Sequence, residues 1–158
     1  MRLCALMTMV VIVLLDQVSK MTVLAYFPQI GSGRVLIPYL INLLHVQNAG
    51  AAWGMLQGRQ VLLISCAVAA LVWMVFSMRR TFLQLPFGWL TWGLLSGGII
   101  GNLIDRVWRR IVIDFIDLNF INFPTFNIAD AAISIGVVIL IITQWLHDRT
   151  TARDHTKC

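Results

Sequence analysis

Glutamate is absent from this 158-residue sequence, and charge of either sign is scarce: 12% of residues are charged, seven of them acidic and all aspartate. Soluble domains carry about a quarter charged residues, so a chain this poor in charge and 59% hydrophobic belongs in a bilayer. Cysteine is nearly missing too. Cys4 and Cys66 fall inside apolar runs and Cys158 is the last residue, a spacing that supports neither a disulfide framework nor a metal knuckle and reads as buried apolar thiols. His45, His147 and His155 lie far apart without HExxH spacing, which argues against a zinc peptidase. The net charge of +5 comes from basic residues scattered singly or in pairs, with no aromatic-interleaved basic face, so no nucleic-acid partner is expected. No small-residue cleavage site follows the first apolar run, which reads as a retained helix rather than a signal peptide.

Long hydrophobic runs are what the chain does have. A membrane helix needs about 20 apolar residues, and four stretches qualify, at about 3–26, 61–78, 85–104 and 129–146. The expected fold is an all-α membrane protein, one domain over 1–158 with four transmembrane helices. Arg79 and Arg80 close the second helix and Pro86 opens the third, making a tight hairpin. The loop 27–60 has turn residues at Pro28, Gly31, Gly33 and Pro38, and its apolar and polar residues alternate over 41–47, which predicts short strands resting on the surface. Gly93, Gly97 and Gly101 recur every four residues with Gly98 beside them, which predicts a central third helix closely approached by its neighbours.

With four crossings, parity puts the end of helix one, the 27–60 loop, the end of helix three and the start of helix four on one face. That face receives Asp16, Lys20, Asn48, Asn102, Asp105, Arg106, Asp114, Asp117, Asn127 and Asp130. Lysine and arginine divide evenly between the two sides, so the positive-inside rule leaves orientation open.

Ionisable groups within membrane segments point to function by default. Asp16 and Lys20, four apart on a helix, can pair, either to anchor a helix end or to support a site. Asn102, Asp105 and Arg106 share one side of helix three. Asp114 lies in Ile-Val-Ile-Asp-Phe-Ile-Asp, where burial raises a carboxyl pKa, with Asp117 an equally placed rival on physical grounds. Asn127 reads as a helix N-cap and Asp130 as a first-turn acid. Two facing carboxylates can share one proton and work as acid and base on a water that attacks a peptide carbonyl. A Ser-Lys dyad is disfavoured because Ser19 points about 100° from Lys20 on the helix. A proton or ion channel needs polar groups through the full depth of the membrane, which helices two and four lack. A packing subunit would leave the paired acids without a purpose.

Taken in order, Asp16-Gln-Val-Ser-Lys20, Asn48-Ala-Gly-Ala-Ala-Trp-Gly54, Gly101-Asn-Leu-Ile-Asp-Arg106, Val112-Ile-Asp-Phe115 and Phe126-Asn-Ile-Ala-Asp130 resemble the motifs of the lipoprotein signal peptidase family, also called signal peptidase II. The resemblance implies an aspartyl endopeptidase with Asp114 and Asp130 as catalytic pair and Asp117 outside it. It also implies Asp16, Lys20, Asn48, Gly54, Asn102, Arg106 and Asn127 around the site, Asp105 in a structural ion pair, and no cofactor or metal. The implied substrate is a diacylglyceryl-modified prolipoprotein, cut just before the lipidated cysteine. The implied setting is the bacterial cytoplasmic (inner) membrane, with a small extracytoplasmic β-element cradling the substrate, the site near that face, both termini cytoplasmic, and a monomer among membrane lipids. Two departures, a short stretch between Asp114 and Asp130 and Trp53 where phenylalanine is common, bear on loop shape and substrate fit.

Overall fold

The structure, a computed structural model, describes residues 1–51, 54–78, 82 and 84–155, with side chains as far as Arg149. Trp53, Arg79, Arg80 and Cys158 lie outside the described residues. Among the described residues four helices and three strands follow one another as α1 (Arg2–Tyr26), β1 (Gly33–Ile37), β2 (Ile41–Asn48), α2 (Gln60–Ser77), α3 (Gly88–Trp108), β3 (Val112–Leu118) and α4 (Ile128–His155).

Among the described residues, α1, α2 and the Ile128–Arg149 part of α4 are long and apolar enough to cross a membrane. Each buries a narrow face and turns large apolar side chains outward; Leu14, Val18, Val72, Val138 and Ile141 are at least half exposed. Such surface is a liability in water and natural against lipid. The same inversion corrects one expectation: Cys4 and Cys66 are exposed on the outer faces rather than buried, because a lipid-facing position tolerates an apolar thiol as well as a core does.

α3 follows a different logic. Glycine, serine, asparagine and tryptophan dilute its hydropathy, and it packs against α1, α2, α4 and β3 at once. A Cβ on Gly93 would stand 2.6 Å from Thr8 Cβ and one on Gly97 2.8 Å from Ile12 Cβ, both on α1, while one on Gly98 would stand 2.7 Å from Ile133 Cγ1 on α4. The glycine faces therefore serve two neighbours. On the third side, Trp92 Nε1 donates to Met74 O of α2 at 2.9 Å, and Ala5, Met74, Phe82, Trp92 and Leu95 form the core within the bundle.

The helix ends differ from the apolar runs for local reasons. α3 begins at Gly88, after Pro86 and a left-handed Phe87 (φ 55°), and ends where Arg110 turns left-handed (φ 64°). α4 continues past its apolar run because i,i+4 contacts carry it: Gln144 Nε2 donates to Asp148 at 3.0 Å, and the Arg149 guanidinium stacks 3.8 Å over the Trp145 ring.

The sheet is antiparallel in the order β1-β2-β3. The alternating stretch at 41–47 is one strand, β2, with a bulge between Leu43 and Val46. Its partner β3 comes from beyond α3, outside the 27–60 loop to which the sequence reading confines the strands. A second core, Val23, Ile113 and Phe115 with Leu24, Phe27, Leu43 and Ile128 against it, fastens β3 to the C-terminal end of α1 and the start of α4.

Replacing Gly97 by leucine has to push α1 away from α3. Overpacking costs about 1–3 kcal/mol, so thermal unfolding of the Gly97→Leu protein in detergent is expected several degrees below wild type, and an unchanged midpoint would contradict the close approach.

Candidate active site

Strand geometry decides which aspartate of β3 faces inward. Asp114 pairs across from Val46 and Asp117 from Asn42; three residues apart, the two project from opposite faces of the strand. Asp114 is buried, and both its oxygens accept amide hydrogens: Oδ2 from Asn48 Nδ2 at the end of β2 (3.0 Å) and Oδ1 from Asn127 Nδ2 (2.7 Å). Asp117 instead accepts from Asn42 Nδ2 at 3.0 Å, at the far end of the sheet.

Asn127 is the N-cap of α4 and joins Asp130 reciprocally: Asp130 N donates to Asn127 Oδ1 (2.9 Å) and Asn127 N donates to Asp130 Oδ2 (3.2 Å). This is a capping box with aspartate in the third helical position. Asn102 of α3 completes the set, its Nδ2 donating to Asp130 Oδ1 at 2.7 Å. Each of the four oxygens on Asp114 and Asp130 thus receives one N–H.

Behind these groups the Lys20 ammonium is fully buried, 2.8 Å from Asp16 Oδ2, 2.9 Å from Asp105 Oδ2 and 3.0 Å from Asn102 Oδ1. Lysine can only donate, so it fixes the oxygen of Asn102 toward itself and the amide nitrogen toward Asp130. Asp16 Oδ1 accepts Ala129 N of α4 at 3.0 Å, and Asp105 Oδ2 accepts Ile113 N, the residue before Asp114, at 3.3 Å. Asp105 also pairs with Arg109, the neighbouring arginine that the sequence leaves unnamed. Gln17, which sequence reasoning passes over, donates to Asp16 at 3.1 Å and to Gly101 O at 3.1 Å; its place beside two charged residues on α1 was the only signal. Ser19 Oγ bonds its own helix, at Asp16 O.

Asp114 and Asp130 open onto one cavity of about 630 Å³. Asn48, Asn102 and Arg106 line it as well, whereas Asp16, Lys20 and Asn127 stand behind its wall. Gly54 is not among its lining residues; it holds a turn at φ 69° after β2. Arg106 braces the neighbouring backbone, donating to Asn102 O at 3.2 Å and to Gly50 O at 3.1 Å. Apart from Thr125 and Ser134 the rest of the wall is apolar, with Leu118, Ile121, Phe123 and Phe126 before α4 and Ile133 and Ile135 on it. Burial, and then the charge of Asp130, push the Asp114 carboxyl up to about 7, against the pull of its bonds from Asn48 and Asn127.

Residues 8–146 match the family model of signal peptidase (SPase) II. The chain is 37% identical over 142 residues to the lipoprotein signal peptidase of Anoxybacillus flavithermus, covering 88% of this chain and 83% of that one. It is 40% identical over 136 residues to that of Geobacillus thermodenitrificans, covering 83% and 82%, and 35% identical over 147 residues to that of Staphylococcus aureus, covering 92% and 89%. Among solved structures it resembles a bacterial membrane enzyme determined by the in meso method at 2.3 Å resolution, with TM-score 0.81 and 34% identity over 93% of this chain and 90% of the other.

Removing the Lys20 charge leaves the buried Asp16 carboxylate without its cation and Asp105 paired with Arg109. Breaking a buried pair from one side costs about 3–5 kcal/mol, so Lys20→Met is expected to lower the unfolding midpoint steeply, with part of the loss returned by adding Asp16→Asn. A midpoint within error of wild type would mean that the network carries no structural weight.

Proposed function

The chain belongs to the signal peptidase II family of aspartyl proteases, and we propose that it removes signal peptides from diacylglyceryl-modified prolipoproteins, with Asp114 and Asp130 activating the water that cleaves before the lipidated cysteine. One observation carries the assignment of the pair: two carboxylates from different elements, bridged by Asn127, face one cavity whose remaining wall is mostly apolar. In this reading the burial and neighbouring charge that raise Asp114 to about 7 let the pair share one proton, one carboxyl protonated and the other ionised. The ionised partner takes a proton from water as it adds to the scissile carbonyl, and the protonated partner polarises the carbonyl and then supplies the leaving amine. No acyl-enzyme forms. Arg106, whose Nε–H is buried without an acceptor among the described residues, is assigned the substrate backbone, and the apolar wall the acyl chains and the signal sequence.

In the same reading α3 is the fourth crossing. Its 21 residues span about 30 Å, and a helix enclosed by three others does not need a lipid-facing composition. Four crossings put both termini on one side and the sheet with its cavity on the other, and the likeness to the family supports assigning the termini to the cytoplasm and the cavity to the extracytoplasmic face of the inner membrane. The chain 1–158 then acts as one domain and as a monomer.

Cleavage of a diacylglyceryl-modified prolipoprotein by purified protein, with chelator present, tests the pair. Asp114→Asn and Asp130→Asn are each expected to lose at least about 10³-fold in kcat while Asp117→Asn keeps activity; both dyad variants still cutting would end the proposal.

The pH profile gives a second test. Asp114 is raised in the folded protein, so its protonated form is lost, and with it activity, as pH rises through about 7. Asn48 stabilises the carboxylate, and Asn48→Leu keeps the burial while removing that bond, so the alkaline limb is expected to move to higher pH. A shift to lower pH would show that another group controls the limb.

A further inference from the structure

Two segments beside the bundle carry almost no charge. Residues 27–58 contain Arg34 as their one charged residue, and residues 118–129 contain none, where a surface meant for water would hold several. They also meet: Asn119 N donates to Leu40 O at 3.0 Å, at the tip of the β1–β2 hairpin. There Ile37 (42%), Leu40 (47%), Phe120 (59%) and Tyr39 (89%) stand exposed, and none of the four lines the catalytic cavity.

The turn itself points outward. Leu40 N donates to Ile37 O at 3.1 Å around Pro38 and Tyr39, and Tyr39 has φ 65°. That is the third position of a type II turn, where glycine or asparagine is preferred and a bulky side chain is strained. The tyrosine ring is almost fully exposed, so little of that strain is recovered within the chain. β1 is also exposed along its whole length as the edge strand. Unpaired backbone groups exclude the hydrocarbon core but suit the headgroup region, where aromatic residues with a polar tip concentrate.

We infer that the hairpin tip, Ile37 to Leu40 with Phe120, is a lipid-binding edge that lies in the outer headgroup layer and holds the sheet flat against the bilayer. Continuity with the lipid-facing helices selects lipid as the occupant. The sheet is tied to the end of α1 by His45 Nδ1 and Phe27 O at 2.8 Å, beside Tyr26, itself 77% exposed at the end of a candidate membrane span. Ile41, where β2 leaves the tip, is seven residues from Asn48, about 23 Å of strand, while Leu118 opposite Ile41 and Ile121 beside Phe120 line the apolar end of the cavity, so the substrate is the rival occupant that the test must separate. The inference rests on residence in the membrane and not on the dyad.

The test uses the full chain with Cys4, Cys66 and Cys158 changed to serine, reconstituted in phospholipid vesicles without substrate, and a nitroxide on Tyr39→Cys. A second label on Phe120→Cys repeats the measurement with the tyrosine intact. Collision with oxygen and with a water-soluble nickel chelate, calibrated with labelled lipids, reads depth whether or not the enzyme is active. Both labels are expected about 5–10 Å below the phosphates, with most collisions with the chelate lost at every protein-to-lipid ratio. Labels as open to the chelate as a free nitroxide would overturn the inference. So would protection that appears only with added prolipoprotein, which assigns the edge to substrate, or protection that grows with protein density, which assigns it to a second copy.

Discussion

A single ammonium group sets the architecture of the polar end of this molecule. Lys20 is fully buried among Asp16, Asp105 and Asn102, and each of those partners passes its constraint onward. Asp16 reaches the first turn of α4 through Ala129, Asp105 reaches β3 through Ile113, and Asn102 reaches Asp130. Four structural elements, α1, α3, β3 and α4, are therefore aligned on one charge. The arrangement is possible because Gly101 lets α3 approach α1: a Cβ there would lie 2.6 Å from Asp16 Oδ2.

Opposed forces act on the two cavity-facing carboxylates. Burial and mutual repulsion favour the protonated state, while four N–H donors favour charge. For Asp114 the first pair prevails and leaves the carboxyl poised near neutrality. The apolar wall from Leu118 to Phe126 thus belongs to the acid–base balance as much as to any bound chain.

Much of this was legible in residue order and spacing. Apolar length marked α1, α2 and α4, the i,i+4 spacing marked the Asp16–Lys20 pair, and Asn127 before an apolar run marked a cap. What was hidden needed partners distant in sequence. Asp114 and Asp117 look alike until β3 pairs with β2, after which strand alternation separates them. β3 escaped notice because its two acids drew attention away from its Val, Ile and Phe. The cavity wall at 118–126 has no periodicity to read, and Gly54 shares a motif with Asn48 without sharing its position. Cys4 and Cys66 were misplaced because burial is judged against water, whereas these helices face lipid.

The bonds that begin α4 are also the bonds that orient the acids, since Asn127 caps the helix with the same amide that touches Asp114 and answers Asp130. The participating groups are spread from Asp16 to Asp130, so the last to be synthesised is the one that closes the arrangement. A half-inserted chain that has not yet reached Asn127 and Asp130 cannot hold Asp114 in this setting, so the helix cap is the latch that completes the arrangement.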